Sequence, residues 1–426
     1  MFIEVRKISK PNFEDILFWI NEYKGIYLFS NTEYNSLNII GISPFLEIID
    51  DGLEQTRKDF LNNLFNLFLE YRHKVNKYNY WGLLGYISYD YKHYIERKNF
   101  FNGIEDDVFP LFYFALFNYY IIYKNEDETA ILIKVNTERD LNSNNKKINL
   151  SKYKIELVYH TQTEEEFIKN VKKIKDYIRA GDVYQVNLTR KVIYKTNIDF
   201  FTLSYKLYNS NFIDFGVIAK ISDEKYIIST SPERFFYVKS NKIVSSPIKG
   251  TIKNKNNMED IKKYLLTKKN LSELAMIVDL IRNDISRFCI VGSVVVKNFP
   301  IIKTLNNVIH LYSDIEGEIE DFNIEKIFRA LFPGGSITGC PKIRSMQIIE
   351  ELEKYPRGIY TGSFGYIFFN NELNFNILIR TIEFYKGFLR YGVGGGITLL
   401  SDPVEEYKEI LYKAQNIEKV LNNVFI

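Results

Sequence analysis

The longest uncharged stretch of the chain, Val108–Tyr123, does most to limit what it can fold into. It is dense in Phe, Tyr, Leu and Ile. A bilayer-spanning helix needs roughly 20 apolar residues, and this stretch is shorter. Aromatic and β-branched side chains suit a pleated surface, so it reads as a buried strand. Similar short runs stand at Gly25–Phe29, Tyr80–Tyr89 and Ala130–Val135, broken by Gly, Asn and Asp. Further strands are predicted at Val183–Tyr194, Phe215–Ile221, Tyr226–Thr230, Gly365–Phe369, Leu373–Ile382 and Gly387–Gly392. Turns are predicted at Asn370–Asn371 and Lys386–Gly387. One helix is fully signposted. Thr163 and Glu166 form a capping box, Phe167, Val171, Ile174, Tyr177 and Ile178 follow at helical spacing, and Gly181 closes it. Other helices are predicted at Leu271–Ser286, Pro341–Lys354 and Val404–Val420. Strands that follow one another with few helices between them argue for the α+β class, with large antiparallel sheets and helices outside. The polar stretch Asn136–Lys152 is predicted to be a loop. It marks a boundary between a strand-rich region, 1–150, and a second region, 151–426.

Composition excludes several functions. The 56 basic and 53 acidic residues leave a net charge of +3, and no Lys/Arg-rich tract is dense enough for a nucleic-acid-binding arm. Cys289 and Cys340 are far apart, and two cysteines with four histidines show no close ligand spacing, which argues against zinc. Met1–Pro11 carries charges every few residues and lacks the apolar core of a signal peptide. The expectation is a reduced, cytoplasmic protein that binds neither nucleic acid nor membrane.

Six segments set polar or Gly-rich chemistry amid hydrophobic runs. In order they are Gly181–Asn187 (GDVYQVN), Ser231–Phe235 (SPERF), Pro247–Thr251 (PIKGT), Met276–Asp284 (MIVDLIRND), Pro333–Gly339 (PGGSITG) and Gly394–Ile397 (GGGI). Together, in this order, they resemble the chorismate-utilising enzymes, which include anthranilate, aminodeoxychorismate, isochorismate and salicylate synthases. The resemblance is dense from about Thr163 to Ile417 and weaker before it. It implies one large α+β body with two antiparallel sheets packed face to face.

The resemblance also implies a site. Glu273, Glu406 and Glu409 match positions that ligate Mg²⁺, which in turn holds the ring carboxylate of chorismate. Carboxylate oxygens are suitable donors for a hard divalent ion. Glu406 and Glu409, at i and i+3 on a helix, share one face. Taken alone, Glu409 and Lys413 are also spaced as an ordinary surface pair. Gly394, Gly395, Gly396, Thr251, Lys413, Tyr366 and Arg380 match substrate-binding positions. Glycines let backbone N–H groups approach an anion, and Arg380 offers a planar fork to a carboxylate. His310 matches a histidine near the substrate ring, although a lone His among apolar residues is commonly a core group.

Two positions separate the family's branches. Water-adding members carry a lysine base where this chain has Gln185. Glutamine accepts no proton near neutral pH, so Gln185 points to the addition of an amine. Anthranilate synthases typically have Ala where this chain has Lys249, whereas aminodeoxychorismate synthases commonly have Lys. There the lysine is a nucleophile that displaces the C4 hydroxyl by attack at C2, and ammonia then attacks C4 and expels it. Covalent catalysis of this kind splits one hard displacement into two. Glu233 matches the general acid for the departing hydroxyl, a role that burial favours. The resemblance thus implies chorismate and ammonia as substrates, 4-amino-4-deoxychorismate as product, and a place in p-aminobenzoate and folate biosynthesis. Anthranilate formation is the alternative. Neither cysteine has the setting of a glutaminase nucleophile, so a separate glutamine amidotransferase subunit is the expected ammonia source. The segment Leu28-Phe-Ser-Asn31 departs from the Leu-Leu-Glu-Ser type found in tryptophan-inhibited relatives, which puts tryptophan feedback in doubt.

Overall fold

The structure, a computed structural model, describes residues 1–30, 37–73, 80–96, 105–106, 108–142, 150–209, 213–253, 257–305 and 308–421. Of the polar stretch Asn136–Lys152, residues 143–149 lie outside this description, as does Asn31.

The strands form one continuous antiparallel ribbon that folds back on itself. Its first half runs in space Ile155–His160, Gln185–Thr196, Phe388–Ile397, Thr381–Tyr385, Lys225–Ser231, Phe215–Ser222, Gly25–Phe29 and Leu37–Ile49. Its second half runs Phe112–Lys124, Gly82–Ile87, Ser363–Phe368, Glu372–Asn376, Arg234–Lys239, Lys242–Ser245 and Val308–Glu318. The last of these also pairs with Ile248–Lys253 and Val295–Leu305. The halves join where Leu37–Ile49 pairs with Phe112–Lys124, with a register shift at Pro44–Leu46. The predicted run Val108–Tyr123 is that second, almost wholly buried, joining strand.

Alternation of side chains gives each half two faces. The inward faces meet in one core, where Ile26, Ile39, Val217 and Ile227 share a cluster with Leu84, Phe114, Phe236 and Phe364. The outer face of the first half is covered by helices Phe13–Tyr23, Glu164–Arg179, Phe200–Tyr208 and Pro403–Val420, over Tyr27, Val186, Leu188 and Ile397. Helices Glu54–Arg72, Lys268–Ser286 and Ile324–Leu331 pack on the second half. This is the α+β arrangement of packed sheets with helices outside. Strands from both sides of residue 150 interleave within it, since Gly25–Phe29 pairs with Phe215–Ser222 and Gly82–Ile87 with Ser363–Phe368.

Local signals explain the element ends. Thr163 Oγ1 accepts from Glu166 N at 3.2 Å, and Glu166 Oε2 accepts from Thr163 N at 2.8 Å, the reciprocal cap predicted for that helix. Gly181 closes it with φ of 84°. Asp402 caps the last helix by accepting from Val404 N and Glu405 N, both at 3.0 Å, with Pro403 in its first turn. The predicted strand Leu373–Ile382 is broken instead at Ile377–Arg380, where Arg380 takes φ of 51°. The hairpin Val295–Leu305 with Val308–Glu318 had no reading from the sequence. Among the described residues no helix is long and apolar enough to cross a membrane. Cys289 and Cys340 are both free.

Candidate active site

Four of the six polar segments line one cleft of about 370 Å³, counting the space that opens to solvent. They contribute Glu233 and Phe235, Pro247, Ile281 and Asp284, and Gly334–Ser336. The other two segments pair with each other beside it. Strand Gln185–Thr196 runs against Phe388–Ile397, with Asn187 opposite Gly396 and Thr189 opposite Gly394. The Pro333–Gly339 segment ties the two groups together. Asn187 N donates to Thr338 O at 2.7 Å, and Gly339 pairs with Val186.

Glu233 sits in the short link between strands Lys225–Ser231 and Arg234–Lys239. Ser231 Oγ donates to Ile377 O at 2.6 Å and accepts from Glu233 N at 3.2 Å, which fixes the link. The Glu233 carboxyl accepts from Ser336 Oγ at 2.7 Å. Its pKa is raised, chiefly by burial. The Ser336 hydroxyl and the charges of Lys249 and Lys413 pull it partly back. A carboxyl held toward its protonated form near two amines is placed to deliver a proton.

Lys249 lies half-buried on strand Ile248–Lys253, whose register against Val308–Glu318 shifts between Lys249 and Thr251. Such a shift re-aims the side chains around it. Thr251 and His310 face each other across this pair, but their side chains lie outside the described residues.

The last helix lies over the Gly394–Gly396 run. Glu406 is 4% exposed and accepts from Ser401 Oγ at 2.6 Å. A Cβ on Gly395 would lie 3.6 Å from both Glu406 Oε2 and Lys413 Nζ. Lys413 Nζ donates to Gly394 O at 3.1 Å and pairs with Glu409 Oε1 at 2.8 Å. The glycine run is expected to bring backbone N–H groups close to an anion, with a tight turn as the ordinary alternative. It is the end of a strand, and none of the three glycines has a positive φ, so the turn alternative falls. Its backbone is still available to a ligand. Strand Thr381–Tyr385 pairs only as far as Tyr391, so among the described strands nothing covers that edge beyond it.

Arg380 is half-buried, and its carbonyl accepts from Thr230 N at 3.0 Å. Burial draws its guanidinium below the usual arginine range, while Asp214 and Tyr412 of the last helix draw it back. A left-handed arginine is local strain of the kind found at binding sites. Glu273 is half-buried on helix Lys268–Ser286. Carboxylates suit Mg²⁺, and Glu406 is a buried one. Among the described residues, however, no three His, Cys, Asp or Glu side chains converge closely enough to hold a metal ion. Tyr366 is placed apart from the cleft. Its hydroxyl donates to Glu372 Oε1 at 2.9 Å, and it lines a second cavity with Phe29, Phe215 and Asn376.

Several residues at the site were not singled out from the sequence. Ser336 stood inside a quoted motif, and Asn187 shares a strand face with Gln185 at a spacing of two, a signal that was legible. Tyr360 packs so closely that a Cβ on Gly392 would lie 2.1 Å from its ring. Arg357, 1% exposed, spans the scaffold. It donates to Ile337 O and Asn187 O, both at 2.8 Å, and forks onto Glu353 at 2.7 and 2.8 Å. Nothing local in Tyr-Pro-Arg-Gly announces that reach.

Residues 24–419 match the sequence profile of a family described as chorismate binding enzyme. Aminodeoxychorismate synthase component 1 of Bacillus subtilis (strain 168) is 34% identical over 366 residues, covering 80% of this chain and 77% of that protein. Anthranilate synthase component 1 of Saccharolobus solfataricus is 31% identical over 345 residues, 80% of each chain. Among solved structures, anthranilate synthase component I from Streptococcus pneumoniae TIGR4 superposes with a TM-score of 0.75 at 24% identity. That match covers 89% of this chain and 91% of the other, and it bears on the fold alone.

Proposed function

The chain belongs to the chorismate-binding enzymes, and we propose that it is an aminating member, which converts chorismate and ammonia to 4-amino-4-deoxychorismate. The observation that supports this reading is that Lys249, two residues beyond the cleft residue Pro247, is near enough for its charge to act on the Glu233 carboxyl. Lys249 attacks ring carbon C2, and the electron pair shifts so that the C4–oxygen bond breaks. Glu233 gives its proton to the departing hydroxyl, which leaves as water. Ammonia then bonds to C4 as the C2–Lys249 bond breaks, and the lysine leaves as its amine. Arg380, Lys413 and the open edge at Gly394–Gly396 receive the two substrate carboxylates. Glu406, with Glu409 and Glu273, would hold Mg²⁺ only if drawn closer together than they stand here, and the ion would then supply a positive charge for the ring carboxylate. A separate glutamine amidotransferase is the proposed ammonia donor. Relatives named for aminodeoxychorismate synthesis and for anthranilate synthesis are similar to this chain at comparable identity, so the choice between the branches rests on Lys249.

The deciding experiment incubates the protein with chorismate, Mg²⁺ and an ammonium salt, with and without aminodeoxychorismate lyase, and resolves products by mass spectrometry. p-Aminobenzoate that appears only with the lyase supports the reading. Anthranilate formed without the lyase assigns the chain to the other branch. For the metal, Glu406→Gln combined with Glu409→Gln weakens the Mg²⁺ dependence severely. An unaltered Mg²⁺ titration in that variant rules out the ligand set.

A further inference from the structure

Helix dipoles favour acids in a helix's first turn and bases in its last. Two residues at the floor of the cleft stand the other way round. Asp284 lies in the last turn of helix Lys268–Ser286, and Lys342 is the first residue of helix Lys342–Glu353. Neither charge helps its own helix, so local propensity does not account for either. They serve each other instead. Lys342 Nζ lies 2.5 Å from Asp284 Oδ2, and the two side chains are only 11% and 9% exposed. Burial raises the Asp284 pKa, and the charges of Lys342 and Arg287 draw it back.

Lys342 makes a second contact. Its Nζ donates to Leu331 O at 2.8 Å. Leu331 is the last residue of helix Ile324–Leu331, and the final carbonyls of a helix have no partner within it. One ammonium thus joins three helix ends. From Leu331 the chain runs directly into Gly334–Ser336, which lines the cleft. That segment has little room to move. A Cβ on Gly335 would lie 2.7 Å from Leu280 Cδ2, one turn before Asp284 on the same helix. A Cβ on Gly334 would lie 2.8 Å from Ile377 Cδ1, and Thr338 Oγ1 donates to Gly334 O at 2.9 Å. Ser336 carries the segment's one polar side chain, and its Oγ donates to Glu233 Oε1 at 2.7 Å. The charges that act on Glu233 are those of Lys249 and Lys413, so a change at Lys342 reaches the carboxyl through this segment.

We propose that Lys342 and Asp284 are positioning residues, which fix Leu331 at the floor of the cleft and so hold the Ser336 hydroxyl on the Glu233 carboxyl. The proposal rests on the reading of Glu233 as the acid for the departing hydroxyl. Without the pair, Leu331 O loses its donor and the segment that follows it loosens. The charged form of Glu233 then loses part of a hydrogen bond, so the acid keeps its proton to higher pH.

The test is the pH profile of product formation with saturating chorismate, Mg²⁺ and a fixed concentration of free ammonia. Wild type, Lys342→Met, Ser336→Ala and the double variant are compared at a temperature where melting curves show each to be folded. Lys342→Met moves the alkaline limb to higher pH by about half a unit to one unit, the scale of a weakened hydrogen bond to a carboxylate. The double variant moves it no further than Ser336→Ala alone, because both changes break the same contact. An unmoved limb in Lys342→Met leaves the pair a purely structural one and overturns the proposal. Shifts that add in the double variant overturn it too, since the pair then acts by another route. If Lys342→Met does not fold, Asp284→Asn decides. It keeps the side chain's volume, removes the charge that holds Lys342 and shifts the limb in the same direction, and an unmoved limb again overturns the proposal. A Glu233→Gln variant with the wild-type rate brings down the reading of Glu233 itself, whatever the pair does.

Discussion

Two regions of this molecule bury polar and charged groups, and they treat them in opposite ways. Behind the cleft, Lys92, His93, Glu350, Glu353, Arg357, Asp106, Glu383 and Arg390 form a network in which the charges have partners. Lys92 Nζ lies 3.0 Å and His93 Nε2 2.5 Å from Glu350 Oε1. Asp90 accepts from Gly358 N at 2.9 Å and Asp106 N at 3.2 Å. Arg390 pairs with Asp106 and, at 2.5 Å, with Glu383, although the second contact falls short of hydrogen-bond alignment. Beside the cleft, by contrast, Gln185 is left with both polar atoms unsatisfied, and the half-buried Arg380 is strained and desolvated. The first region bonds the N-terminal segment around Asp90 to the helix Lys342–Glu353. Burial alone therefore does not identify a site.

Substitutions sharpen this contrast. The largest effect is expected at the cleft. Lys249→Ala lowers formation of 4-amino-4-deoxychorismate by about 10³-fold or more, the scale on which loss of a nucleophile acts. It leaves the melting temperature nearly unchanged, since Lys249 is a half-buried strand residue. Product analysis with an unchanged rate in the variant would sink the nucleophile role. The network behaves in reverse. Arg357→Met leaves Glu353 buried and unpaired and costs about 3–5 kcal/mol of stability, and the double variant with Glu353→Gln recovers part of it. Denaturant unfolding measures both, and a single variant as stable as wild type would show the network to be dispensable.

Ser336→Ala is a smaller test. It removes the hydrogen bond that favours the charged form of Glu233, so the carboxyl pKa moves further up. Rate depends on the protonated acid and falls as pH rises through that pKa, so the alkaline limb of the profile shifts to higher pH. Above that pKa the rate therefore rises, and the low-pH plateau falls by at most about 10-fold through the lost positioning hydrogen bond. A limb that stays in place separates Ser336 from Glu233.

The smallest effect concerns His160. Burial first, and then the charge of Arg190, lower its pKa from 6.5 to about 4. The folded protein therefore binds fewer protons than the unfolded chain between those values. Stability is full above pH 6.5 and is lost as pH falls toward 4, by about 1–2 kcal/mol once solvent screening of this half-exposed ring is allowed for. A His160→Gln variant flattens that part of the curve of melting temperature against pH.

Much of the fold was legible because the signals were local. The capping box at Thr163, the turns at Asn371 and Lys386 with their positive φ, and the buried aromatic strand each follow from residues within a few positions. The break at Ile377–Arg380 was not legible. It is held by partners far along the chain, Ser231 on Ile377 O and Thr230 on Arg380 O. At the site, the convergence of Glu233, Pro247 and Ser336 on one cleft matched the motifs, because each motif fixes its own backbone. Tyr366 illustrates the limit. Its match to a family position gave a residue type, but the strand's alternation turns its hydroxyl to Glu372. The glycine run illustrates another. Glycine at Gly396 serves close approach to Gln185, and sequence alone does not separate that need from a turn.

The interleaving of early and late strands also sets the order in which the chain can complete itself. Gly25–Phe29 has Phe215–Ser222 as one neighbour, and Gly85 has no mate on one side until Gly365 has been synthesised. During translation the first sheet edges stand open while most of the protein is still being made. Non-local pairing of this kind slows folding and prolongs exposure to aggregation. A chain cut near residue 150 would leave two fragments with raw, complementary edges. Each would be insoluble or chaperone-bound alone, and each would supply the strands the other lacks when the two are made together.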